Sequence, residues 1–199
     1  MKLYGIAGSR ALRSLWAAEE VGVEYEHVPT HFLGDSKKPE YLAINPNGRV
    51  PALVDGDVTL FESMAINLYL ARKYGGALWP SNQADEARAI QWSFWGMSEI
   101  EPNLMDILLN RIMLPEDQRN ESVAEAAEKG LDRPMKVLDD TLADRTYLLG
   151  NDFTIADLNV AAVLSMAKLV RYDTSGCANA HRWFEACTGR ESFARARQL

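Results

Sequence analysis

Apolar and polar positions come in short runs over the first third of the chain and recur at helical spacing over the rest. Lys2 to Ile6 is an apolar run that predicts a strand, and Tyr25 to Pro29 predicts a second. Between them, Leu12, Leu15, Trp16 and Ala18 share one face of a helix expected over Ala11 to Val21. Lys37 to Ile44 reads as a short helix or turn, which ends before Pro46 because the residue ahead of a proline leaves the helical region. Ala52 to Val54 and Val58 to Phe61 are β-prone runs joined by Asp55-Gly56, the strongest short hairpin signal. A helix follows from Ser63, its expected N-cap, to Tyr74, and Gly75-Gly76 closes it.

The resulting order, β-α-β-α-β-β-α, is a thioredoxin-like topology that buries a sheet beneath helices. Trp79-Pro80-Ser81 reads as a linker, and beyond it the pattern is helical throughout. The fold class is therefore α/β followed by all-α: a first domain over 1–76, a linker over 77–83 and a helical domain over 84–199. In the second domain, Asp85 to about Met113 carries an apolar stripe of Ile90, Phe94, Met97, Ile100 and Leu104, and Pro102 should kink it. Glu121 to Leu142 is a second helix, with Pro134 as a bend or break. Thr154 to Leu169 is a third and His181 to Cys187 a fourth.

Composition changes this picture only by exclusion. With 199 residues, 47% hydrophobic and 25% charged, the chain is that of an ordinary globular protein, and a net charge of -7 disfavours nucleic acid as a partner. The apolar start, Met1 to Ala7, is too short for a signal peptide, and no run is long enough to span a membrane. Cys177 and Cys187 have neither redox-pair nor zinc-knuckle spacing, which fits a reducing cytoplasm. His27, His31 and His181 form no metal-ligand pattern.

The candidate chemistry gathers at loops of the first domain. Gly8-Ser9-Arg10-Ala11 lies where a thioredoxin-like domain would carry Cys-x-x-Cys, and no cysteine is there. Ser9 reads either as a helix N-cap or as a hydroxyl that stabilises a thiolate at a helix N-terminus. Asn45-Pro-Asn-Gly is turn chemistry, and Pro51 ahead of a strand implies an edge position or a cis turn. Val50 can offer its backbone to a peptide as an added strand would. Glu62 can take an ammonium group, while Ser63 is either a plain cap or part of a carboxylate site at the helix start. Lys37, Lys38 and Arg49 can supply charge for a second carboxylate or remain solvated. Thr154-Ile-Ala-Asp157 is a capping box with Asp for the usual Glu or Gln; reciprocal capping explains its spacing without catalysis.

Met1-Lys-Leu-Tyr-Gly, Ser9 with Arg13, Glu19-Glu-Val-Gly-Val-Glu-Tyr-Glu26, Asn45-Pro-Asn-Gly-Arg-Val-Pro51, Leu60-Phe-Glu-Ser63 and Thr154-Ile-Ala-Asp157 follow in one order over nearly the whole chain. Together they resemble a cytosolic glutathione S-transferase, and the serine loop is similar to the phi, theta and related bacterial groups. The resemblance implies a catalytic Ser9 that stabilises the glutathione thiolate. It implies that Val50 pairs with the cysteinyl unit, that Pro51 is the cis-proline after it, and that Glu62 and Ser63 bind the γ-glutamyl end. Lys37 aligns with a basic residue near the glycyl carboxylate. Arg49 stands where Gln or Lys is common, and Ser36 where His is common; both are departures at the glycyl end. The implied partners are glutathione as co-substrate, without a metal, and an apolar electrophile beside the helical domain. A cytoplasmic homodimer is implied, formed between the first domain of one subunit and the helical domain of the other. Isomerase, dehalogenase or peroxidase chemistry, or a non-catalytic binding module, are the alternatives on the same fold.

Overall fold

A computed structural model describes residues 1–199, in two compact units: 1–81 together with 189–199, and 82–188. In the first unit, β1 (Lys2–Tyr4), β2 (Glu26–Val28), β3 (Ala52–Asp55) and β4 (Val58–Phe61) form one sheet in the order β2-β1-β3-β4. β1 runs parallel to β2 and antiparallel to β3, and β3–β4 is an antiparallel hairpin. Leu3 faces His27 on one side and Leu53 on the other, and both leucines are fully buried. Pro51 thus precedes a central strand rather than an edge one, and the Val50–Pro51 bond is cis.

Helix α1 (Ala11–Val21) packs against α3 (Ser63–Tyr74), while α2 (Pro39–Leu42) is a single turn entered through a 3-10 turn at Asp35–Lys37. Of the predicted face, Leu15, Trp16 and Ala18 are fully buried and Leu12 is half-buried. Arg13, Ser14 and Ala17 are buried too: α1 is covered by α3, to which Ser14 turns, and on a second side by α10 (Glu191–Ala196). Sequence periodicity does not anticipate α10. It belongs with the first unit, whereas the expected boundary assigned residues 189–199 to the helical domain.

The second unit comprises α4 (Gln83–Trp95), α5 (Glu101–Leu108), α6 (Glu121–Thr141), α7 (Ile155–Leu164), α8 (Met166–Val170) and α9 (Ala178–Thr188). α7 is buried at every position and forms the centre of this core. The stripe expected on α4 is turned by one position. There Ala89 and Ser93 face inward, with Gly96 just beyond, whereas Ile90 is 39% and Phe94 70% exposed; further along, Ile100 and Leu104 are fully buried as expected. Small residues win the inner face because α7 comes close: a Cβ on Gly96 would touch Val160 and Val163 at 3.7–3.8 Å, and Asn159 Nδ2 donates to Ser93 Oγ at 2.8 Å. Ahead of Pro102 the chain passes through a π-helical turn, Gly96–Ile100, which absorbs the missing hydrogen bond and leaves the proline in the first turn of α5. Pro134 breaks nothing. α6 continues through it, held by the buried row Leu131, Pro134, Met135 and Leu138. The predicted third helix is two, divided at Ser165, whose hydroxyl donates to the Ala162 carbonyl at 2.7 Å. No helix is long and apolar enough to cross a membrane.

Candidate active site

β1 leaves the sheet at Gly5, whose φ of 140° is open to glycine and strained for other residues. A Cβ there would stand 2.2 Å from that of Ala11 and 3.5 Å from that of Val50. This close approach brings the Ile6–Arg10 loop beside the turn that ends at Val50. His27 Nε2 lies 2.8 Å from the Gly5 carbonyl oxygen, which only accepts, so that ring nitrogen carries the proton.

Ser9 ends the loop and is half-buried. Its hydroxyl donates to the Ile6 carbonyl at 2.8 Å and accepts from the Ala11 N–H at 3.1 Å. Ser9 is thus not the expected N-cap: Arg10 holds that position without a side-chain capping hydrogen bond. Ser9, one residue further out, meets the Ala11 N–H through an oxygen lone pair while its proton is used separately.

The turn from Asn45 to Val50 is clamped from inside. Asn45, 2% exposed, donates from Nδ2 to the Arg49 carbonyl at 2.7 Å, and the Tyr41 hydroxyl donates to the same oxygen at 2.6 Å. Burial pushes the Tyr41 phenol up to about 12, so it stays a donor at neutral pH. Lys37 Nζ donates to the Gly48 carbonyl, which sets its ammonium against this turn. The Arg49 side chain is exposed. Lys38 is turned to Asp35 at 2.7 Å. Ser36 is fully buried and donates to the Phe32 carbonyl at 2.8 Å, so it faces away from the surface.

The hairpin register carries the turn to the start of α3. Ala52 lies opposite Phe61, so Pro51 and Glu62 continue the two strands at the same end. Glu62 has φ 72° and ψ 115°, a conformation that non-glycine residues adopt at a cost of about 1–3 kcal/mol, and its side chain is exposed. Ser63 is not the N-cap that its hydroxyl implied. It is the first residue of α3 and is buried, and the unusual turn at Glu62 occupies the cap position without a side-chain hydrogen bond. The N–H groups of the first turn of α3 accordingly have no partner within the helix, and the helix end favours an anion. Ser14 of α1 donates to the Ser63 carbonyl at 3.4 Å, and Asn67 of α3 donates to the Arg13 carbonyl at 3.2 Å. These contacts hold the two helix starts together.

Elsewhere the structure supplies no rival centre. Asp157 is fully buried and accepts from the N–H groups of Leu148 and Thr154, the Thr154 hydroxyl and the Trp183 ring at 2.8–3.0 Å. It is a framework residue of the second unit. No group of three or more His, Cys, Asp or Glu side chains is placed to hold a metal ion. A cleft of about 350 Å³ opens between β1, β2 and α2 at Tyr4, Thr30 and Tyr41, and includes none of Ser9, Val50, Glu62 or Ser63.

Residues 1–72 match the family model of the glutathione S-transferase N-terminal domain, and residues 100–191 that of the C-terminal domain. Glutathione S-transferase 3 of Zea mays is 34% identical over 204 residues, covering 97% of this chain and 91% of its own. The chain belongs to the glutathione S-transferase family. Within that family, Glutathione S-transferase 1 of Zea mays is 39% identical over 173 residues, covering 82% of this chain and 78% of its own. The crystal structure of the theta class glutathione S-transferase from Xanthomonas axonopodis pv. citri, with glutathione bound, superposes with a TM-score of 0.91 at 28% identity over 100% of this chain and 97% of that one.

The residues that bring these groups of the transferase together are hidden in its sequence: Gly5 acts by lacking a Cβ, and Tyr41 and Asn45 by holding the Arg49 carbonyl. Asn45 is visible only as turn chemistry. Gly5, at the end of the first apolar run, gives no signal beyond being a glycine.

Proposed function

We propose that this glutathione transferase is of the serine type, with Ser9 donating a hydrogen bond to the thiolate of glutathione. Val50 offers its backbone N–H and C=O to the cysteinyl unit, with Pro51 next to it. Glu62 takes the α-ammonium group of the γ-glutamyl end, and Ser63 with the first turn of α3 takes the α-carboxylate. Lys37 and Arg49 supply charge for the glycyl carboxylate.

One observation carries this reading. The exposed Glu62 is held in a strained conformation at a helix N-terminus, beside Pro51 in the hairpin register, while Gly5 draws Val50 to the Ser9 loop. A zwitterionic head and an extended peptide are what such a row of groups recognises. Ser36, bonded inward, leaves the glycyl end to Lys37 and Arg49.

For the chemistry, Ser9 need only rotate its hydroxyl proton from the Ile6 carbonyl to the sulfur, since its oxygen continues to accept from Ala11. A hydrogen bond to the charged form lowers the thiol pKa and raises the thiolate fraction at neutral pH. The sulfur lone pair then forms the S–C bond. The leaving group departs with the displaced pair, or in an addition the pair moves onto the electrophile. We propose an apolar electrophile and a homodimer in the cytoplasm. The exposed Ile90 and Phe94 of α4 and Phe61 of β4 offer apolar surface that a second copy can cover, and light scattering tests the dimer.

A panel of aromatic halides, epoxides, enones, haloalkanes and hydroperoxides with glutathione tests the function. Conjugation by the wild type, greatly reduced in Ser9→Ala, is the expected result. Turnover confined to hydroperoxides or haloalkanes would replace conjugation with the corresponding reaction, and Ser9→Ala at wild-type rate would remove Ser9 from it.

A further inference from the structure

The segment 189–199 returns to the first unit and closes on α1 and on the loop ahead of it that carries Ser9. Trp16, Glu19 and Glu20, spaced i, i+3 and i+4, present one face of α1 to it. The Glu20 carboxylate accepts from Arg190 Nε at 3.0 Å and from the Ser192 hydroxyl, and Ser192 Oγ in turn accepts from the fully buried Trp16 ring at 3.0 Å. Phe193 meets that ring edge-on, 4.7 Å between centroids. Arg195 Nε reaches Glu19 at 2.8 Å, and the Tyr25 hydroxyl donates to the same carboxylate at 2.9 Å. At the opposite end, the Ala7 N–H donates to the backbone oxygen of Leu199 at 3.4 Å, two residues before Ser9.

We infer that Arg190–Leu199 is a positioning element for the Ser9 loop, with Glu20, Arg190 and Leu199 as its fixing points. The inference rests on the reading of Ser9 as the thiolate's hydrogen-bond donor. A helix is stiff along its axis, so gripping α1 at Trp16 and Glu20 fixes where its first turn stands. The Leu199 contact then fixes the loop that enters that turn. Within the loop, the hydrogen bonds of Ser9 N–H and Oγ both end on Ile6, next to Ala7, so a shift at Ala7 is passed to the Ser9 hydroxyl. None of the three fixing points touches the reacting atoms. They act through the placement of Ser9.

The test compares wild type, Glu20→Gln, Ser192→Ala, a variant lacking Gln198 and Leu199, and Ser9→Ala. Two quantities are read: the pH midpoint of thiolate absorbance of bound glutathione, and the affinity for S-methylglutathione, which has no thiol. Positioning predicts midpoints raised by about half a pH unit or more in Glu20→Gln and in the shortened variant. S-methylglutathione should bind within about twofold of wild type in both. Unchanged midpoints in these folded variants, with a raised midpoint in Ser9→Ala, overturn the positioning role and leave the reading of Ser9 standing. An unchanged midpoint in Ser9→Ala overturns that reading, and the inference with it. Loss of S-methylglutathione affinity in step with the midpoint makes the segment a general scaffold and also overturns the inference. Should Glu20→Gln fail to fold, the shortened variant and Ser192→Ala decide between these outcomes by the same two readings.

Discussion

Gly5 and Ala11 meet where the first strand gives way to the first helix, so closely that a methyl group on Gly5 would stand 2.2 Å from the one on Ala11. That contact lets the Ser9 loop and the Val50 turn meet at one end of the two central strands, β1 and β3. Gly5→Ala combines a clash against the Ala11 methyl group with an unfavourable positive φ, and is expected to lower stability by about 3 kcal/mol. Chemical denaturation measures this. A change under about 0.5 kcal/mol, the ordinary scale of surface substitutions, would mean the two elements are free to separate.

Ser9→Ala removes a hydroxyl whose proton and lone pair have separate partners, Ile6 and Ala11. Hydrogen bonds to charged groups are worth about 1.5–3 kcal/mol, so the bound thiol should titrate about 1–2 pH units higher. The sign follows from which form is stabilised: without the donor the thiolate is disfavoured. Activity at neutral pH therefore falls, and the deficit closes as the pH rises past the new midpoint. Glutathione affinity should change little. Ultraviolet titration of the bound tripeptide reads the midpoint, and coincident curves for the two proteins would exclude the role.

Glu62 separates stability from binding. Its φ of 72° suits glycine, so Glu62→Gly should leave stability equal or raise it by about 1 kcal/mol. The same change removes the carboxylate proposed for the ammonium group and should weaken glutathione binding about tenfold or more. Calorimetry of binding and of unfolding on one sample reads both. A variant that binds normally would show that Glu62 holds its conformation for another reason.

Much of the fold is legible in the sequence because local and tertiary causes coincide. Ala11–Val21 and Ser63–Tyr74 form where apolar spacing and the glycines that follow agree, although neither helix is capped by the serine that its sequence offers. Where they part, the sequence misleads. Glu191–Ala196 offers only Phe193 as a large apolar residue, and its anchor, Glu20, lies 170 residues away from Arg190. Ile90 and Phe94 read as core, yet Ala89, Ser93 and Gly96 take the inner face because closeness of two helices rewards small side chains. At the candidate site, side chains with chemistry can be read one at a time. What gathers them cannot, since a positive φ at Glu62 or a clamp on the Arg49 carbonyl is a property of the folded backbone.

Asp55 ties the hairpin to the helix that starts at Ser63, and gives a pH-dependent test of that tie. Its carboxylate accepts from Lys73 Nζ, the Tyr69 hydroxyl and the Tyr74 hydroxyl at 2.7–2.8 Å. The Lys73 hydrogen bond, followed by that from Tyr74, holds its pKa down at about 2, below the ordinary 3.8. A carboxyl with a depressed folded pKa contributes stability that is complete above its unfolded pKa and is lost as the pH falls through the folded one. Wild type should therefore lose this contribution progressively from about pH 4 to about pH 2. Asp55→Asn, which cannot ionise, should be less stable by about 1–2 kcal/mol at neutral pH, since Lys73 is partly exposed and solvent screens the pair. The gap between the two proteins should narrow across that window. Urea denaturation at steps from pH 7 to pH 2.5 measures it, and a gap independent of pH would show that the three hydrogen bonds, rather than the charge, make the tie.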